Sequence, residues 1–93
     1  MIKTDKADRQ MTDELYALLA SLQTAADVRA LFTDLCTEKE VERMAQRVRA
    51  ATLLQEGKTY QQVIEETDIS PTTLSRVSRC LQYGDGYSRF LKG

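Results

Sequence analysis

Two helix starts and one helix stop are crowded between Thr59 and Leu81, and this punctuation constrains the fold more than any other feature of the chain. Thr59-Tyr60-Gln61-Gln62 reads as a capping box, in which the Thr hydroxyl accepts from a backbone N–H three residues on and the Gln side chain reaches back. A short helix follows, with Val63 and Ile64 inward and Glu65 and Glu66 outward. It must stop near Thr67-Asp68, since Asp tolerates the left-handed backbone that a tight interhelical turn requires. Ile69 is expected to plug the turn. Ser70 and Pro71 then restart a helix: Ser is a favoured N-cap, and Pro at the first helical position gives up no hydrogen bond. Leu74, Val77 and Leu81 share the buried side of this second helix, which places Thr72, Ser75, Arg76 and Arg79 on the opposite side. That outer face carries two hydroxyls, two guanidiniums and no carboxylate. Helix, tight turn, helix, with a basic outer face, is the physical description of a helix-turn-helix that reads DNA. Ile64 is the departure from the usual pattern, where Ala is common for close helix approach.

The remainder of the chain has helical periodicity as well. Residues 1–10 carry five charged side chains and little apolar bulk, and are expected to form a mobile tail. Leu15, Leu18, Leu19 and Leu22 make one stripe of a helix starting near Thr12, and Val28, Leu31, Phe32, Leu35 and Cys36 make a second stripe behind the cap Thr24-Ala25-Ala26-Asp27. These broad stripes, over about 12–36, suit either dimerisation helices or the packing of a compact monomer. Thr37-Glu38-Lys39-Glu40 opens the longest helix, about 38–56, which Gly57 stops. Its stripe of Val41, Met44, Ala45, Val48 and Ala51 is widened by Ala50, Leu53 and Leu54, so it is expected to meet neighbours on more than one side. The helix-turn-helix spans about 59–82, and Asp85 is the N-cap candidate of a short last helix, about 85–92, packed through Tyr83, Tyr87, Phe90 and Leu91. Residues 11–93 thus form one all-α domain of five to six helices.

Composition removes most enzymes. The chain of 93 residues has no His, which excludes a His-based triad, a His general base and a His-ligated metal. Two cysteines, Cys36 and Cys80, are too few for a four-cysteine zinc site and too far apart for a CxxC redox pair, so no metal site is expected. The longest apolar run, Leu15 to Ala20, is too short for a membrane span, and the expected location is the cytoplasm. The net charge of −1 conceals an asymmetry: five Lys/Arg against nine Asp/Glu through Glu42, then eight against five. A basic C-terminal half suits an anionic partner docking on that end.

Several spaced motifs agree with one known family. Arg47-Val48-Arg49, Gly57, Gln61 and Thr73-Leu74-Ser75-Arg76 resemble the Trp repressor family over about residues 35–82. Leu35-Cys36-Thr37, Ala45-Gln46-Arg47, the Leu54–Tyr60 segment and Ser75 to Gly84 look most like its YerC/YecD branch. The resemblance implies a Trp-repressor-like bundle forming an intertwined homodimer, its N-terminal helices wrapping the partner and its two reading heads set for successive major grooves. It also implies an effector pocket on Thr37, Arg47, Arg76, Val77 and Cys80. In tryptophan-sensing members a glycine stands at the position of Val77 and a serine at that of Cys80. Branched bulk and a weak hydrogen-bonding thiol replace them here, so no cofactor is expected and tryptophan is disfavoured as corepressor.

The resulting expectation is a sequence-specific transcriptional regulator, a repressor, that binds double-stranded DNA as a homodimer, does not contact membranes, and has room for an unidentified small-molecule effector. Arg76 and Arg79 are the candidates for base or backbone contact; Gln61, Thr72, Thr73 and Ser75 would position phosphates, Ser70 and Pro71 at the start of the same helix complete the DNA-binding set, and Arg89 and Lys92 could add phosphate contacts. The rival is a helix-turn-helix module that binds protein instead, for which Glu65 and Glu66 beside the reading face are the support.

Overall fold

The computed structural model describes residues 5–91, and Lys92 lies outside them. The regular structure among the described residues is all helical: α1 Asp5–Ala20, α2 Ala25–Leu35, α3 Glu38–Gln55, α4 Tyr60–Thr67, α5 Pro71–Tyr83 and α6 Gly86–Phe90. They fall into two compact units divided after Thr37.

In the first unit, α1 starts at Asp5, which corrects the sequence reading of residues 5–10 as tail. Asp5 and Asp8 lie in its first turn, where carboxylates favour the helix dipole. Thr12 is therefore no cap; inside the helix its hydroxyl donates to the Asp8 carbonyl at 2.9 Å. Thr24 caps α2 by accepting from the Asp27 N–H at 3.1 Å. The reciprocal arm has shifted by one residue, because the Asp27 carboxylate takes the Gln23 N–H at 3.1 Å instead of the N-cap's own. Neither α1 nor α2 buries any residue.

The second unit contains the core. Ala50, Ala51 and Leu53 of α3 pack with Val63, Ile69, Leu74 and Val77, and Leu54, Ile64, Leu81, Tyr87 and Leu91 close around them. The two alanines let α4 and α5 approach the α3 backbone closely. Val41 and Val48, on the other part of the predicted stripe, are exposed. The α3 terminus is a Schellman motif: Lys58 N–H donates to the Leu53 carbonyl at 3.1 Å, Gly57 N–H donates to that of Leu54 at 3.0 Å, and Gly57 sits at φ +88°. At Gly84 a Cβ would stand 2.7 Å from the Cys80 carbonyl oxygen, so only glycine lets the chain leave α5 there. Tyr87 and Leu91 pack the last helix as the sequence predicts, but Tyr83 and Phe90 are 85% and 73% exposed. Asp85 stands at the N-cap of α6 without a side-chain cap bond; its carboxylate pairs with Arg89 at 3.4 Å instead.

Candidate nucleic-acid interface

The local chemistry of the turn sets the aim of α5. Thr59 accepts from Gln62 N–H at 3.2 Å and the Gln62 side chain accepts from Thr59 N–H at 2.9 Å, so the expected capping box is complete. Asp68 is left-handed, with φ 61°, and ends α4 by donating its N–H to the Ile64 carbonyl at 2.8 Å. Ile69 turns into the core. Ser70 accepts from Thr73 N–H at 3.2 Å and Pro71 takes the first helical position of α5. Two bonds from α3 then fix this assembly. Gln46 donates through its side-chain amide to the Thr67 carbonyl at 2.9 Å, and Arg49 pairs with Glu66 at 3.1 Å. Glu66 is thereby neutralised at the edge of the reading head.

Leu74 and Val77 are buried beneath α5, while Pro71, Thr72, Ser75, Arg76 and Arg79 are exposed. Among the described residues neither Arg76 nor Arg79 has an ion-pair partner, so both guanidinium forks face solvent with their donors unused. Thr73 is half-buried and sits against the N-cap, where its oxygen accepts from the Ser70 hydroxyl at 2.9 Å. Gln61 is exposed, but its amide donates to the Glu65 carboxylate at 3.3 Å, and to reach a phosphate it must release that bond.

Of the candidate effector residues, Arg47, Arg76, Val77 and Cys80 belong to the second unit. Arg47 lines a polar cavity of about 380 Å³ with Arg43, Gln46, Asp68, Ser70 and Thr73. Cys80 lines a separate apolar cavity of about 320 Å³ with Gly84, Gly86 and Tyr87. Val77, at 1% exposure, belongs to the core, as its place three residues after Leu74 on the buried stripe predicts. Arg76 faces outward, and Thr37 belongs to the first unit. The polar cavity adds residues that the sequence reading missed. The signal was present in Arg43 and Arg47, at i and i+4 on one face of α3, but nothing local placed the turn of the reading head across from them.

Residues 10–93 match the model of the family described as Trp repressor protein. The chain belongs to the Trp repressor family. The match extends beyond the motif-bearing segment to include α2 and α1 from Gln10 onward. YerC of Bacillus subtilis (strain 168), itself an uncharacterized protein, is 40% identical over 91 residues, covering 97% of this chain and 88% of YerC. Two solved structures share the fold. A TrpR-like protein from Eubacterium eligens ATCC 27750 is 36% identical with a TM-score of 0.83, over 92% of this chain and 90% of that one. A candidate Trp repressor from Staphylococcus aureus is 32% identical with a TM-score of 0.85, over 98% and 92% of the two chains. No helix among the described residues is long and apolar enough to cross a membrane.

Proposed function

We propose that the protein is a homodimeric, sequence-specific DNA-binding regulator, a repressor in the manner of its family, that reads the major groove with α5. The observation that carries this reading is the outer face of α5: Thr72, Ser75, Arg76 and Arg79 are exposed, unpaired by any carboxylate, and held on a helix whose other side is locked into the core. Hydroxyls suit phosphate oxygens and an Arg fork suits the O6/N7 edge of guanine. The dimer is supported by the first unit, which leaves Met11, Leu15, Tyr16, Leu18, Val28 and Leu35 exposed and buries nothing in one chain. A second copy covering those faces also supplies a second reading head, so the operator is expected to be a palindrome. Tryptophan is not the expected effector, since Val77 is core and Cys80 faces apolar walls.

Selection of bound duplexes from a random library at about 150 mM salt tests the reading, because specific and non-specific binding separate there. A palindrome with half-sites about one helical turn apart is the expected product. Failure to enrich any sequence, with no retention on duplex DNA, would favour the protein-binding alternative.

On the selected operator, Arg76→Ala is expected to weaken binding by about 1–3 kcal/mol and to relax the preference at one base pair, the signature of a lost guanine contact. Its melting temperature should match the parent's, since Arg76 is exposed and makes no ion pair. Unchanged affinity in a gel-shift titration would remove Arg76 from base readout.

A further inference from the structure

The polar cavity between α3 and the start of α5 has a chemistry that neither the reading face nor an amino-acid pocket accounts for. Its volume of about 380 Å³ is at the small end of ligand pockets, which run from about 300 to 1,000 Å³. Arg43 and Arg47 stand at i and i+4 on α3, where side chains are neighbours on one face, and both line it. Neither guanidinium has a partner among the described residues. Across from them, the Ser70 hydroxyl accepts from Thr73 N–H and spends its one proton on Thr73 Oγ1 at 2.9 Å. Thr73 also lines the cavity, and its hydroxyl keeps a donor because the Ser70 proton serves the bond between the two. Gln46 spends one amide proton on the Thr67 carbonyl and keeps the other. Asp68 contributes one carboxylate, so the lining carries two positive charges against one negative. An adjoining cavity shares Arg43, Gln46 and Asp68 and adds Lys39 and Glu42, a pair of opposite charges that leaves the balance unchanged.

Two guanidinium forks, a hydroxyl donor and an amide donor converging with net charge +1 match a tetrahedral oxyanion better than any neutral ligand. We propose that this cavity is a phosphate site, with Arg43 and Arg47 as its cationic pair and Thr73 and Gln46 as its neutral donors. The phosphate has two possible sources, a DNA backbone diester or a free phosphorylated small molecule competing for the same donors. Only the first source rests on the DNA-binding reading above.

The test compares the full chain, the Arg43→Ala/Arg47→Ala double variant and Arg29→Ala as a charge control, each checked for an unchanged thermal melt. Inorganic phosphate is titrated at about 150 mM chloride, above the ionic strength at which weak surface attraction is screened. Chemical shifts of the Thr73 amide and of the Arg43 and Arg47 side-chain N–H groups are expected to saturate, with at least tenfold weaker binding at Thr73 in the double variant and no change in Arg29→Ala. In parallel, the salt dependence of duplex binding is expected to lose about one to two units of slope in the double variant, at about 0.9 per phosphate contact. Saturation by free phosphate that also displaces duplex assigns a small-molecule source; a reduced slope without phosphate saturation assigns the backbone. No saturation together with a parental slope overturns the site while leaving the DNA-binding reading intact. Conversely, phosphate saturation in a chain that retains no duplex leaves the site standing and removes the DNA-binding reading.

Discussion

Leu74→Ala is expected to lower the stability of the second unit by about 2–5 kcal/mol, the range for truncating a fully buried leucine. The site predicts the upper part of that range. Leu74 is completely buried and packs in the same cluster as Leu53, Val63, Ile69 and Val77. Collapse into the vacated space is opposed on two sides. Pro71 and the Ser70 cap fix the start of α5, and the two small residues Ala50 and Ala51 already bring α3 to close approach. Stability of a single domain is only about 5–15 kcal/mol, so a large fraction is lost. Chemical denaturation at fixed protein concentration should show a lower midpoint with a parental slope, and the melting temperature should fall by at least about 8 °C. The contrast with Arg76→Ala is the informative part: one variant loses fold and with it DNA binding, the other keeps fold and loses contact. A Leu74→Ala chain with a parental midpoint would mean that α5 is not held by this core, and the reading face would have no fixed support.

The parts of this fold that could be read from sequence are those decided within a few residues. Thr59 with Gln62, Asp68 in the left-handed turn, and Ser70 before Pro71 are each local hydrogen-bonding or steric choices, and each stands where the sequence places it. The outer face of α5 follows from the spacing of Leu74, Val77 and Leu81 for the same reason. Residues 5–10 lack the apolar stripe by which periodicity marks a helix. Helix propensity with early carboxylates is enough to extend α1 through them without burial. Periodicity along α3 identified apolar residues but could not tell which of them the chain covers itself. Ala50 and Leu53 are core, whereas Val48 remains 45% exposed. Val77 shows the converse: its spacing from Leu74 marks it as core, and the chain buries it without help from a second copy. The polar cavity was invisible because its two walls, Arg43 and Arg47 on one side and Ser70 and Thr73 on the other, are far apart in sequence.

The exposed apolar stripe of the first unit leads to the second large prediction, that Met11→Glu combined with Leu18→Glu converts a dimer to a monomer. The two positions are seven residues apart, on one face of α1, and are 54% and 47% exposed in the single chain. Because both already face solvent there, glutamate costs an isolated chain little, and it is a good helix former. In a two-fold dimer each substitution occurs twice, so four apolar side chains are lost from the covered surface. At about 1.5–3 kcal/mol for each, the loss is about 6–12 kcal/mol, comparable with the whole binding energy of a micromolar complex, about 8 kcal/mol. Light scattering should give the parent twice the 10.6 kDa of one chain and the variant that mass once. Palindromic operator binding should be lost, leaving only weak attachment of a single reading head. Hydrogen exchange should accelerate in α1 and α2, which bury no residue of their own, while the core beneath α5 stays protected. A double variant that keeps the parental mass would show that these helices are covered by something other than a second copy.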